Sequence, residues 1–369
     1  MNISQKRVAL ATSSLITIIL LIFAFRAVYR ICNPIQKPGN NNQHIIYQIE
    51  GSTERSYYIY ENNLLVVDNK GICAVNKSGA ETWRVEFISK SPQVKISGKY
   101  ILIYDYPGTS FAVISRGQVV YKNEKTESEI ILGSINSAGF ASIVTESMGY
   151  KNKLTVYDPL GAEYYYWNTS SGYIVAARTT TNGKKIAIAS IFYENTKQMS
   201  GITIINASDE SIEQEATYEN TVFADIAYLN DKSLLVISDV GTYRLDENLS
   251  EIYKIDYNGK ILQHYDYNKN GKLALAFSNS KNTSTVEIYN KRGVLSGALQ
   301  SSFEARGVVL SQGLVAVCGA RDIAIYNEKG LFRTHTAYDR SFRFLNTSRI
   351  KSGFFSVAAN NVEFLTVDY

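Results

Sequence analysis

Cysteine and histidine are scarce in this sequence, three of each in 369 residues, and neither set is clustered. Cys32, Cys73 and Cys318 lie too far apart in the chain for a disulfide framework or a metal site. Cys73 and Cys318 sit in apolar runs and read as buried free thiols. His44, His264 and His335 show no HxH, HxxxH or HExxH spacing, so no zinc site is readable and no metal is expected. A GxSxG elbow is missing too, which removes local support for a nucleophile and its base. With only 5 prolines and 24 glycines there is no room for a long flexible linker. Helical periodicity is absent after residue 32. These absences point away from an enzyme and from any bound cofactor.

An excess of charge is also lacking once its place is known. The net charge is +4, but residues 1 to 40 hold Lys6, Arg7, Arg26, Arg30 and Lys37 and no acid, leaving 33 basic against 34 acidic groups in the rest. Nucleic-acid binding needs a basic face to neutralise phosphates, so no nucleic-acid partner is expected. Hydrophobic residues at 45% and charged residues at 20% are those of a folded chain with a large core. The 27 tyrosines accompany plentiful Asn, Ile and Lys and reflect a compositional bias first.

Only one long apolar run occurs. Val8 to Phe25, VALATSSLITIILLIFAF, carries no charge and as a helix would span roughly 27 Å. Ala27, Val28 and Tyr29 extend it past Arg26, which can snorkel to the interface. Cleavage as a signal peptide is disfavoured because the boundary FAFRAVYR lacks small residues, and Cys32 after YRI does not suit lipid attachment. The expected organisation is a tail at 1–7, a transmembrane helix at 8–29, a tether at 30–43 and a folded domain at 44–369. Basic residues flank the helix on both sides, so the positive-inside rule comes near a tie. The bulk of the chain is expected outside the cytoplasmic membrane, as a single-pass cell-membrane protein, with a cytoplasmic domain as the alternative.

Beyond the tether a turn followed by an apolar strand recurs eight times, about every 41 residues, the period of a four-stranded propeller blade. Examples are ISGKYILIYD from Ile96, TNGKKIAIAS from Thr181 and KNGKLALAFS from Lys269. A second strand follows each and commonly ends in a polar residue and a glycine turn, as in LTVYDPLG (Leu154 to Gly161) and IAIYNEKG (Ile323 to Gly330). An open solenoid or a pair of sandwiches would also hold many short strands, but the period is too long for a solenoid rung. The expected fold is all-β, a closed eight-bladed propeller. Seven blades are the alternative, because the fourth and fifth units have degenerate turns. The last unit supplies only three strands, so the spare segment HIIYQIE (His44 to Glu50) is expected to pair with Val362 to Asp368 and close the ring.

The segment GICAVNKSGAETW (Gly71 to Trp83) resembles the blade motif of the pyrroloquinoline-quinone-like and BamB-like propellers, in which a tryptophan docks between blades. YDPLGAEYYYW (Tyr157 to Trp167) is a looser copy. The quinone and calcium ligands of the quinone enzymes have no counterparts here, so the resemblance implies packing and no activity. The whole chain also resembles a family of clostridial-type membrane-anchored proteins that carry a domain of unknown function, which implies location and fold alone.

Two local motifs read as structure. DYNKNG (Asp266 to Gly271) matches half a calcium loop, but Phe277 stands where a bidentate Glu is needed, so a tight turn is the better reading. The six Asn-x-Ser/Thr sequons, at Asn76, Asn168, Asn206, Asn248, Asn282 and Asn346, are expected by chance in an Asn-rich chain. For binding, the loops Tyr104 to Ser110, Glu146 to Lys153 and Phe192 to Ser200 occupy the same strand junction in consecutive units and belong on one rim of a ring. Tyr106, Tyr150 and Tyr193 form the candidate binding rim, suited to a protein, peptide or glycan partner. The expected function is a non-catalytic binding or scaffold module at the cell envelope. The alternative is an extracytoplasmic enzyme acting on a cell-wall or extracellular polymer, with its site at the propeller centre.

Overall fold

The polar residue and glycine that end so many strands are a hairpin with a fixed chemistry. Asn76 Oδ1 accepts the backbone N–H of Ser78 and Ala80 at 2.9 and 3.0 Å, and Asp158 Oδ1 accepts those of Leu160 and Ala162, both at 2.9 Å. Asn206, Asp246, Asn290 and Asn327 also take the N–H two residues on. A short side chain that satisfies its own turn favours the turn over a continued strand. The computed structural model of the chain describes residues 44–48 and 55–365, apart from 280, 339–340, 342, 347–352 and 358–360. The expected tail, helix and tether, residues 1–43, lie outside the described residues. Among the described residues no helix is long and apolar enough to cross a membrane.

Every described strand belongs to an antiparallel four-stranded sheet, and there are eight such sheets. Sheets I to VII are each four strands consecutive in the chain, at residues 56–86, 92–123, 130–169, 173–219, 223–256, 262–301 and 307–337. Sheet VIII joins Arg343–Asn346, Phe354–Val357 and Asn361–Leu365 to His44–Gln48 from the other end of the chain. His44 pairs with Phe364 and Gln48 with Asn361, as the spare-strand argument expects.

The expectation of eight blades, with seven as the alternative, is corrected by this topology. Seven sheets are blades in the repeat sense, each contiguous and each carrying a bulge between its third and fourth strands. The remaining sheet is a closure made from both chain ends, with its outermost strand supplied from outside the repeat order. The physical reason is that a ring built from a linear chain must be joined somewhere, and pairing the two ends in one sheet removes two open edges.

Apolar clusters fill the spaces between neighbouring sheets. Leu65 and Ile72 of sheet I meet Ile103 and Ile114 of sheet II, and the sequence of clusters runs round to Val66 and Cys73 against Phe355 and Val362, which join sheet VIII back to sheet I. First strands of adjacent sheets touch, so they line the centre.

The residue after the bulge docks the sheets. It is Trp83 in sheet I, and Tyr121, Tyr165 and Tyr253 in sheets II, III and V. Trp83 fills the space over Gly117 of the next turn, where a Cβ would lie 2.5 Å from Trp83 Cγ; Tyr121 covers Gly161 and Tyr253 covers Gly293 in the same way. Glycine is required twice over at 117, since its φ of +79° is left-handed. In sheet III the docking residue is Tyr165; Trp167, the aromatic that resembled the motif tryptophan, packs beside it. Sheet VI has Gly297 at this position, and there the backbone of Lys329 and Gly330 comes into the space an aromatic would occupy. The calcium-like segment is a turn: Asn268 Oδ1 accepts from Asn270 and Lys272, with Gly271 at φ +81°.

Deleting residues 44–48 should expose the edge of Asn361–Leu365 and abolish the cooperative thermal transition followed by circular dichroism. A transition as sharp as that of the intact chain would show that closure contributes nothing.

Candidate functional site

Strands alternate in direction, so the second-to-third junctions and the connections from one sheet to the next share one rim. The first-to-second and third-to-fourth turns share the other. Tyr106, Tyr150 and Tyr193 lie at the second-to-third junctions of sheets II, III and IV. They are 44%, 51% and 74% exposed. The structure therefore places them on one rim of three consecutive sheets, and among the described residues no hydrogen bond or ring contact joins them to each other. Tyr193 is not in a loop: it pairs with Gln198 in a hairpin that extends the sheet, turned by Asn195 and Thr196 at φ +48° and +68°.

Other apolar groups join them. Ile88 and Met148, at 89% and 98% exposure, and Tyr173 stand on the same rim. The Tyr106 loop is fastened to the Ile88 connection, because Asp105 Oδ1 accepts from Ser89 Oγ, Lys90 N and Ser91 N, and Tyr106 N donates to Ser91 O at 3.1 Å. Lys151 Nζ lies 5.0 Å from the centre of the Tyr173 ring. Further round this rim, between sheets V and VI, Val240, Tyr257, Ile261 and Leu262 help line a groove of about 690 Å³. Exposed apolar side chains on the opposite rim, such as Leu160, the pair Val294 and Leu295, and Leu331, sit at separate hairpins.

A polar cluster in the channel was missed by sequence reasoning. Arg178 on the first strand of sheet IV donates through Nη2 to Asp225 Oδ1 of sheet V at 2.6 Å and through Nη1 to Ala177 O at 3.0 Å. The Tyr265 hydroxyl of sheet VI donates to Asp225 Oδ2 at 3.2 Å. Burial, then the Asp225 charge, pushes the Tyr265 phenol well up, so it is a neutral donor. Lys95, on the first strand of sheet II, is exposed, yet neighbouring protein partly desolvates its ammonium. Desolvation, then the nearby Arg178 charge, lowers its ammonium below the usual lysine range, with Asp225 acting the other way. Charged residues inside otherwise apolar first strands, QVKIS, VAARTT and FADIAY, were the available signal.

The same strands are laced together by side chains that satisfy unpaired edge groups. Ser134 Oγ donates to Ala177 O at 2.6 Å, and Asp266 Oδ2 accepts from Leu310 N at 2.7 Å. Burial raises the Asp266 carboxyl, and the N–H groups of Leu310 and Tyr267 oppose that rise. Catalytic reactivity has no foothold in the thiols: Cys73 and Cys318 are buried and free, pushed up to about 11 and about 12, chiefly by desolvation. Among the described residues no three His, Cys, Asp or Glu side chains could hold a metal ion together.

DUF5711, a family of unknown function, matches residues 40–367. The chain belongs to this family. Its match covers the ring of sheets. No curated protein matches the chain. Among solved structures, the ring is similar to Sqt1 from Chaetomium thermophilum bound to the N-terminus of the ribosomal protein L10, at 8% identity and a TM-score of 0.58, covering 88% of this chain and 100% of that one. It is similar to BamB from Moraxella catarrhalis at 11% identity and a TM-score of 0.52, covering 86% and 99%. It is also similar to the β-propeller domain of Cps50 (Swd1) from Myceliophteria thermophila at 13% and 0.52, covering 76% and 98%. These likenesses show that this DUF5711 chain has the propeller fold.

Asp225→Asn should destabilise the propeller by about 1–3 kcal/mol in denaturant unfolding, because it leaves the Arg178 charge without its partner. An unchanged midpoint would mean that the channel cluster adds nothing to the ring.

Proposed function

We propose that this DUF5711 protein is a non-catalytic propeller that binds a protein or peptide partner through the rim carrying Tyr106, Tyr150 and Tyr193. We place it at the cell envelope, anchored by the apolar run at 8–29 with the ring on the outer side of the membrane. The observation that carries the reading is the concentration of exposed aromatic and apolar groups on one rim of adjacent sheets. A rim of this kind suits partner recognition, since tyrosine offers a large contact area with few rotamers to freeze. The groove beside Ile261 extends the same face. The Sqt1 neighbour, solved with the N-terminus of L10, gives a precedent for a propeller of similar shape holding a protein segment. At the ring centre Arg178, Asp225 and Tyr265 are bound to one another, which favours a structural and binding role over an enzyme with its site there.

A membrane-impermeant crosslinker added to intact cells tests rim and topology together. The native chain should capture its partner, and the variant with Tyr106, Tyr150 and Tyr193 all changed to Ser should lose it with its melting temperature nearly unchanged. Equal capture by the variant would overturn the rim. Capture only with a permeant reagent would overturn the outward orientation.

A further inference from the structure

On the rim opposite the tyrosines, the channel opens into a cavity of about 540 Å³ bounded by the first strands of sheets II to VI and the turns that follow them. Its lining includes Lys95, Arg178, Lys269, Asp231 and Tyr267. We propose that this mouth is a binding site for a carboxylate, held between the Lys95 ammonium and the free edge of the Arg178 guanidinium.

Charge selects the ligand class. Three cations, Lys95, Arg178 and Lys269, face two carboxylates, Asp231 in the lining and Asp225 behind Arg178, so the mouth lacks one negative charge. One monoanion completes it, whereas a phosphate dianion would overshoot. The Lys95 ammonium makes no hydrogen bond or ion pair among the described residues, and desolvation, then the nearby Arg178 charge, disfavours its charged form. An anion between the two would relieve that repulsion. Arg178 spends one N–H on Asp225 and one on Ala177 O, which leaves donors of its planar fork for a carboxylate. Asp231 is already engaged by Thr181 N and Thr181 Oγ1, so it is not drawn across to Lys95. Tyr267, held neutral by a phenol pushed up to about 12, is a further donor in the wall. Backbone latches such as Ser134 Oγ to Ala177 O fix the strands that carry these groups, which preorganises the site.

The carboxylate has two possible sources, a free small acid or an acidic side chain of a partner protein. Titration calorimetry on the full chain in detergent, with acetate, glucuronate, a glutamate hexapeptide and inorganic phosphate as probes, tests the site and separates them. At least one carboxylate probe should bind more tightly than phosphate. Lys95→Met should weaken it about tenfold, the loss of one charge-assisted contact, and Lys95→Arg should restore most of it. Binding of acetate or glucuronate supports the site with a free acid as its ligand; binding of the hexapeptide alone supports it with a partner's acidic segment. The variant carrying serine at 106, 150 and 193 should bind the probes unchanged, so failure of the rim and failure of this site are read separately. Preference for phosphate, the same affinity in Lys95→Met, or no heat with any carboxylate would overturn the proposal.

Discussion

A four-stranded sheet that is apolar on both faces cannot stand in water, and everything in this molecule follows from how that surface is covered. The second strands are buried at four successive positions, Leu64 to Val67 in sheet I and Ile101 to Tyr104 in sheet II, without the polar alternation of a sheet that faces solvent on one side. Each sheet must therefore have a neighbour on either face, and the requirement passes along the chain until the ends meet. In sheets I, II and V, docking of one outer-strand aromatic on the next glycine turn helps set the spacing of that stack. The aromatic is replaced by Gln214 in sheet IV, Thr334 in sheet VII and Gly297 in sheet VI, and at Gly297 the following backbone occupies its place.

The repeat was legible because a turn needs its chemistry in every copy. Asn, Asp and Gly recur at the hairpins for reasons of backbone geometry, and they punctuate the chain at the blade period. Closure was legible from a mismatch, three strands at one end and a spare strand at the other, and His44–Gln48 does pair with Asn361–Leu365. The standing of the last sheet was harder to see, because the turn-and-strand repeat recurs there as in the other units and hides that this sheet is a closure of the two chain ends rather than a contiguous blade. The docking aromatic was also misread: a motif search follows tryptophan, whereas the space over the turn accepts tyrosine, and the bulge makes Tyr165 rather than Trp167 the residue that enters it.

The two surfaces of interest differ in legibility for a similar reason. Rim tyrosines sit on extended junctions that sequence order places side by side, so Tyr106, Tyr150 and Tyr193 could be named in advance, although the hairpin that raises Tyr193 could not. The channel groups come from separate sheets, with Lys95, Arg178, Asp225 and Tyr265 far apart in the chain and brought together only by ring geometry. One charged residue in an apolar strand says little alone. Convergence around an axis gives it a partner and, in Lys95, leaves a charge without one.

The central claim is that the two chain ends hold the stack closed. Amide hydrogen exchange in the full chain measures this directly, comparing residues 44–48 and 361–365 with interior strands such as Ile101 to Tyr104. If closure is part of the cooperative unit, the paired amides of both end strands exchange through the same opening as the interior and are protected to a similar degree. Rapid exchange of 44–48 beside a protected interior would contradict the account, for it would show a ring that is stable without being joined.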